Sequence, residues 1–282
     1  MKIAISTEST CDLPRDLLDK YKLESIAYSI ILGDEIVEDN ESVPAQIFEF
    51  VEKNKKLPQT SAINEEQYKE YFKSLLEKYD EVIHISLSSG LTSSTAHAMT
   101  VAENMKNVHV IDSKSLSTGL ALLCIYAREL ADKGESVETI VEKVSSRVES
   151  IQASFIVENL DYLCKGGRCS KLALFGANLL KIRPQIVVNN GLMSPAKKYR
   201  GKMEKVIKDY CKDTLEEFNT PDKKIAFITH TTATPEMIEN ARTALVEAGF
   251  SEIYDTTAGG TITAHCGEHV LGILYLNDGD KI

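Results

Sequence analysis

The chain has 282 residues, 43% of them hydrophobic and 26% charged, with a formal net charge of −10. Those proportions describe a globular protein long enough for one large or two ordinary domains, and the negative balance argues against general nucleic-acid binding. No apolar run approaches the roughly eighteen residues of a membrane span. The opening MKIAISTEST has too short an apolar part for a cleavable signal, so the expectation is a cytoplasmic protein.

The first half alternates strand and helix. Ile3-Ala4-Ile5 reads as a buried strand, and Pro14 to Tyr21 as a helix with proline near its start. Residues 23 to 38 hold two strand-like runs around Gly33-Asp34, a hairpin signal. Ser42-Val43-Pro44 opens a helix to about Glu52. Asn64 caps a second helix whose Tyr68, Tyr71, Phe72, Leu75 and Leu76 keep helical spacing. Val82-Ile83-His84-Ile85 is the next strand, followed by a hydroxyl-rich loop, a helix to about Met105, and a strand at Val108–Ile111. Long helices follow near 117–133 and 136–149. This rhythm predicts a Rossmann-like parallel sheet with flanking helices.

From about residue 151 the pattern changes. ASFIVE, RPQIVV, KIAFIT, SEIYD and VLGILYL read as strands, helices fall near 202–218 and 235–248, and Asn189-Asn190-Gly191 is a tight turn. The expected organisation is an N-terminal α/β domain over 1–157 and a C-terminal α+β domain over 158–282, with a cleft between them.

Chemistry concentrates in a few loops. Ser89-Gly90-Leu91-Thr92-Ser93 stands where a strand hands over to a helix, the place where parallel sheets bind ligands. It lacks the G-x-S-x-G of a nucleophile elbow. As an anion cradle it makes physical sense, because glycine admits a close approach and helix N–H groups carry partial positive charge. Thr60-Ser61 forms a second hydroxyl pair in a loop. Gly259-Gly260-Thr261-Ile262-Thr263-Ala264-His265 puts a histidine in a glycine-rich loop, suited to lining a site, whereas His84 and His109 read as core residues.

Between Cys164 and Lys208 lie eleven cationic residues and one acidic one, Glu204. Arg168, Arg200 and Lys202 belong to this block, which reads as a docking surface for an anionic partner. Within it, KLALFGANLLKIRP has the make-up of an amphipathic lid or membrane-touching helix. The six cysteines are scattered and show no metal spacing, which suits reduced thiols and no metal site. Neither GxxxxGK[ST], GxGxxG after a strand, nor HExxH occurs, so the chain shows no equipment for ATP or a dinucleotide.

Four stretches together resemble the DegV family of bacterial fatty-acid-binding proteins, which serve as binding subunits of fatty acid kinase. IAISTESTCDLP is similar to the family's I-x-T-D-S-T-x-D-L-P, and PQTSAIN to its P-x-T-S-Q-P. SSGLTSST is similar to S-S-x-L-S-G-T, and LCKGGRCS to L-x-K-G-G-R-I-S. The resemblance implies an apolar tunnel between the domains for a long-chain fatty acid such as palmitate, stearate or oleate, and no other cofactor. Carried over by motif, it implies carboxylate binding by Thr60, Ser61, Thr92, Ser93 and His265, with Ser89, Gly90, Gly259 and Gly260 supporting the site. Arg168, Arg200 and Lys202 would meet the kinase catalytic subunit or, transiently, an anionic membrane. The chain departs from the pattern at Glu8, Ala62-Ile63, Thr92-Ser93, Cys266 and Glu268.

A fatty acid suits these residues physically. Burial is worth roughly 0.8 kcal/mol per methylene, so a fifteen-methylene tail supplies about 12 kcal/mol as an upper bound. The head group then needs only hydrogen bonds. The expected function is carriage of a fatty acid to a separate kinase, with no catalytic residue in this chain. The rival is a serine esterase or thioesterase using Ser89 or Ser93 with His265. A phospho-ligand binder is the third reading.

Overall fold

Burial of every residue along Ile3–Glu8 marks β1 as a strand covered on both faces, as its unbroken apolar start suggests. The computed structural model describes residues 1–158, 160–169, 182–279 and 281. After β1 come α1 (Arg15–Lys20), β2 (Leu23–Ile26), β3 (Ser29–Leu32), β4 (Glu35–Glu38), α2 (Val43–Asn54) and β5 (Gln59–Ser61). Next are α3 (Glu65–Leu76), β6 (Glu81–Ser86), α4 (Ser94–Ala102), β7 (Val108–Asp112), α5 (Ser117–Asp132) and α6 (Val137–Arg147). The remainder comprises β8 (Ile151–Ile156), α7 (Asp161–Gly166), β9 (Ile182–Asn189), β10 (Leu192–Arg200), α8 (Met203–Glu217), β11 (Ile225–His230), α9 (Pro235–Glu247), β12 (Glu252–Thr257), α10 (Gly260–Cys266) and β13 (Leu271–Leu276).

The first sheet is parallel throughout, in the order β2-β1-β6-β7. Connections run in opposite directions from β1 to β2 and from β6 to β7, so a crevice opens at the carboxyl ends of β1 and β6. The loops at Ser9–Asp12 and Ser88–Ser93 leave those two ends. A six-stranded mixed sheet follows the order β10-β9-β8-β13-β11-β12, with only the β11–β12 pair parallel. Strand β8 thus precedes the expected boundary at 157 yet pairs within this second sheet. A small antiparallel sheet, β4-β3-β5, sets Thr60 opposite Ile30.

The helix α5 ties the sheets together. Eleven of its sixteen residues are buried, and its cluster joins Ile5, Ile83 and Ile111 to Ala153, Phe227 and Leu274. Local signals work where they are strong. Asn64 accepts from the Gln67 N–H while Gln67 returns the bond, a capping box at the head of α3. Asn190 and Gly191 both take positive φ in the β9–β10 turn, as a two-residue hairpin requires.

Several expectations are corrected. The glycine-rich stretch around His265 is helical, because acceptors far away in sequence satisfy its first N–H groups. His84 is fully buried, but His109 is partly exposed and holds Glu81 at 3.0 Å, so it is no core residue. The amphipathic run from Lys171 to Lys181 lies outside the described residues, while Arg183 stands in β9. All six cysteines are free thiols, five of them buried. Among the described residues no helix is long and apolar enough to cross a membrane.

Candidate functional site

Two walls meet at one small cavity. From β5, Thr60 Oγ1 lies 3.0 Å from His265 Nε2 on α10, across 205 residues of sequence. On the facing wall Thr92 Oγ1 accepts from the Tyr28 hydroxyl at 3.2 Å and from the Ser94 N–H at 3.1 Å. It donates to Ser94 Oγ at 3.2 Å. Tyr28, Thr60, Thr92 and His265 line a cavity of about 80 Å³ whose apolar side is Leu87, Leu91, Leu116, Met193 and Ile262. A second cavity of about 30 Å³ shares Leu116, Ile262 and Cys266 and continues toward Phe155, Val270 and Leu274. A polar cluster therefore caps an apolar slot. Both spaces fall below the roughly 300 Å³ of a small-molecule pocket, so a long tail enters only as lining side chains turn aside. Met193, with its flexible thioether, is the readiest of them to do so.

Burial, with a smaller push from the Arg168 charge, takes the His265 imidazole down to about 4. It is neutral at pH 7. Among the described residues its buried Nδ1 has no partner, and a methyl group on Gly166 would fall 2.6 Å from it. An N–H left there would be an orphaned donor, so we assign the proton to Nε2. Nε2 then donates to Thr60 Oγ1, and the Thr60 hydroxyl proton is free for the cavity.

Two carboxyl groups from the first half hold α10. Asp39 accepts from the Gly260 N–H at 2.6 Å, the Thr261 N–H at 3.0 Å and the Thr261 hydroxyl at 2.7 Å. Asp12 accepts from the Gly259 N–H at 2.8 Å. A side chain at Gly260 would fall 2.8 Å from Asp39 and 2.6 Å from Val43, so the helix start has room only for glycine. Gly259 and Gly260 thus support His265 through these carboxyl groups.

The other expected residues divide. Ser93 lines the cavity. Ser61 is exposed, because alternate residues of a strand face opposite sides and Thr60 takes the inner one. Ser89 is exposed and accepts from Lys114 Nζ at 3.0 Å. Gly90 meets the hairpin tip: an added methyl would fall 2.6 Å from the Gly191 carbonyl oxygen and 2.9 Å from Leu192 Cδ2. The glycine thus admits a neighbouring backbone where a ligand was expected. Gly90→Ala should destabilise the protein by about 2 kcal/mol, seen as a lower urea midpoint. Arg168 is exposed and lines the rim of the His265 cavity. Arg200 and Lys202 lie together in a separate cleft of about 770 Å³ with Arg183 and His269.

The sequence profile of the family described as "Uncharacterised protein, DegV family" matches residues 2–278. The chain belongs to the DegV family. This DegV-family chain is 34% identical over 226 residues to a fatty acid-binding protein of Thermotoga maritima, covering 77% of this chain and 78% of that one. A crystal structure of a DegV lipid-binding protein from Thermotoga maritima superposes with a TM-score of 0.86 at 29% identity, covering 98% of this chain and 99% of that one. DegV of Bacillus subtilis, described as a fatty acid-binding protein, gives 0.85 at 26% identity, with 98% and 99% covered.

Sequence reasoning missed three residues of this DegV-family site. Tyr28 is buried and bonds Thr92 across 64 residues, a pairing that no local pattern reveals. Asp39 ends the β4 edge and looks like an ordinary turn acid. Glu8 appeared only as a departure from the motif, yet it is fully buried and accepts from Tyr68 at 2.5 Å. In this DegV-family chain Thr92→Val would leave the Tyr28 hydroxyl and the Ser94 N–H without their acceptor. Acyl binding should weaken by about 30-fold, roughly 2 kcal/mol, in a fluorescent fatty-acid displacement titration.

Proposed function

We propose that this chain binds one long-chain fatty acid, with its tail in the Leu116–Ile262 slot and its carboxyl group at Thr60, Thr92 and His265. One observation carries the reading: neutral hydroxyl and imidazole groups converge at the end of an apolar slot. Such a site suits a ligand that draws affinity from methylenes and needs its head group hydrogen-bonded. The fatty-acid-binding relatives support it. Ser93 is proposed as a further head-group neighbour.

The chain would carry the acid in the cytoplasm and present it to a separate ATP-dependent fatty acid kinase, without turnover of its own. Two observations favour carriage over a serine hydrolase. Ser89 is engaged with Lys114, away from the cavity. Among the described residues His265 has no carboxylate on Nδ1 to orient it as a base, and its basicity is lowered by burial. Two structural units are proposed, one built on each large sheet and joined just before β8.

The cleft with Arg200 and Lys202 is the proposed surface for the kinase or for transient contact with anionic lipid. Arg200→Glu with Lys202→Glu should slow acyl transfer to the kinase about tenfold and leave fatty-acid affinity unchanged. Comparing transfer rate with equilibrium binding checks this, and unchanged transfer removes the surface from the mechanism. For the function as a whole, solvent extraction and mass spectrometry of purified protein should recover acyl chains. Phosphate-bearing ligands, or release of acid from added acyl esters, would point to the other readings.

A further inference from the structure

The hydroxyl groups around the cavity have a fixed donor–acceptor direction, and it ends on a buried carboxyl group. Glu8 closes β1 and accepts from the Tyr68 hydroxyl at 2.5 Å, the Thr10 hydroxyl at 3.1 Å and the Leu87 N–H at 2.8 Å. Ser94 neighbours both the Tyr68 and the Tyr28 hydroxyl groups, and with its proton committed to Glu8 the Tyr68 oxygen can only accept. Ser94 Oγ accepts from the Ile63 N–H at 2.9 Å and from the Thr92 hydroxyl at 3.2 Å. Thr92 Oγ1 accepts in turn from the Ser94 N–H and the Tyr28 hydroxyl. The hydroxyl protons of Tyr28 and Thr92 therefore run away from the cavity to Ser94, and that of Tyr68 behind them runs to Glu8.

This direction decides what the cavity offers. Tyr28 donates to Thr92 and presents an oxygen lone pair. Thr60 accepts from His265 and presents its hydroxyl proton. One acceptor beside one donor complements a carboxylic acid, whose O–H and C=O match them. A carboxylate has no proton for the acceptor.

The surrounding charges agree. Behind the hydroxyl row Glu8 has His84 Nε2 at 3.8 Å, fully buried and without a hydrogen-bond partner. Asp39 stands behind the start of α10, and Asp12, held at about 8 by burial, is largely protonated at pH 7. Cys266 beside His265 has its thiol pushed up to about 12, chiefly by burial, so it stays neutral. Arg168, at the rim, is exposed and donates to the Gly166 carbonyl at 2.6 Å. His265 is uncharged at pH 7. Among the described residues that line the cavity there is no buried Lys or Arg.

We propose that the acyl carboxyl group is held here as the neutral acid, its O–H on the Tyr28 oxygen and its carbonyl on Thr60, with Glu8 setting the direction that demands the proton. This rests on the fatty-acid reading above. Binding then takes up one proton from solvent, and the stored acyl group is a poor nucleophile until that proton leaves.

The protein loaded with [1-13C]palmitate tests it by NMR between about pH 5 and 9. The bound carboxyl carbon should keep the shift of an acid until its midpoint, at least two units above an ordinary carboxyl group, about 100-fold in protonation equilibrium. Calorimetry at pH 7.5 in two buffers of different ionisation heat should show uptake of about one proton per chain bound. Tyr28→Phe removes the acceptor while leaving every partner of Glu8 in place, and Glu8→Gln replaces one acceptor oxygen by an amide; each should lower the midpoint by about one unit. A carboxylate shift across the range, or no proton uptake, overturns the proposal while acyl binding stands. No bound acyl signal at all overturns the binding reading beneath it.

Discussion

Asp39→Ala is expected to destabilise the protein by about 4 kcal/mol and to weaken acyl binding by roughly 100-fold. Asp39 is 6% exposed and gathers four donors: the Ser9 hydroxyl at 3.0 Å, the Gly260 and Thr261 N–H groups, and the Thr261 hydroxyl. Removing its carboxyl group leaves the buried Gly260 and Thr261 donors without their acceptor. It also frees the start of α10, whose seven residues are too few to hold a helix by themselves. His265 rides on that helix, so its contact with Thr60 is lost with the anchor. Asp39→Asn keeps one acceptor oxygen and should lose about half as much stability. Urea unfolding and fatty-acid titration on the same samples check both effects. A binding loss without a stability loss would mean that Asp39 acts on the ligand and not through the helix.

Acidification should destabilise the protein through His265 by about 3 kcal/mol between pH 6.5 and 4. The folded value, about 4, lies below the ordinary 6.5, so in this window the unfolded chain binds the proton more readily. The contribution is complete above pH 6.5 and disappears as the pH falls through 4. Asp12 runs the opposite way. Burial holds it at about 8, against the hydrogen bonds from Ser117 and Gly259, so its contribution is complete below pH 3.8 and is lost as the pH rises through 8. The two slopes oppose each other from pH 4 to 6.5. Thermal melts of Asp12→Asn should therefore show the acid loss undiluted, and His265→Gln on that background should abolish it. An acid limb that survives His265→Gln would assign the titration elsewhere.

The strand–helix rhythm of the first half was legible because its apolar runs are long and its caps are local, as with Asn64 and Gln67. Thr92 was legible for a topological reason: it follows β6 at the open end of a parallel sheet. His265 was found, but its helix was not, since Gly259 and Gly260 carry no local helix signal and the anchors, Asp12 and Asp39, lie more than 200 residues away. Ser61 was misplaced because three residues of β5 are too few to show alternation, which turns Thr60 inward and its neighbour out. Gly90 was read as room for a ligand, whereas the backbone of the β9–β10 hairpin fills that room. Tyr28 and Glu8 became visible only through contacts that fold far-apart segments together. Chemistry-bearing residue types were readable from sequence; the direction of their hydrogen bonds was not.

The placement of one bound acyl chain tests the function most directly. A crystal structure of the protein soaked with oleate should show the carboxyl group about 2.7 Å from the Thr60 and Tyr28 hydroxyl oxygens. The tail should run past Leu116 and Ile262 toward Val270, with Met193 turned aside. A head group bound in the Arg200–Lys202 cleft, or a tail lying outside an unchanged Leu116–Ile262 wall, would contradict it.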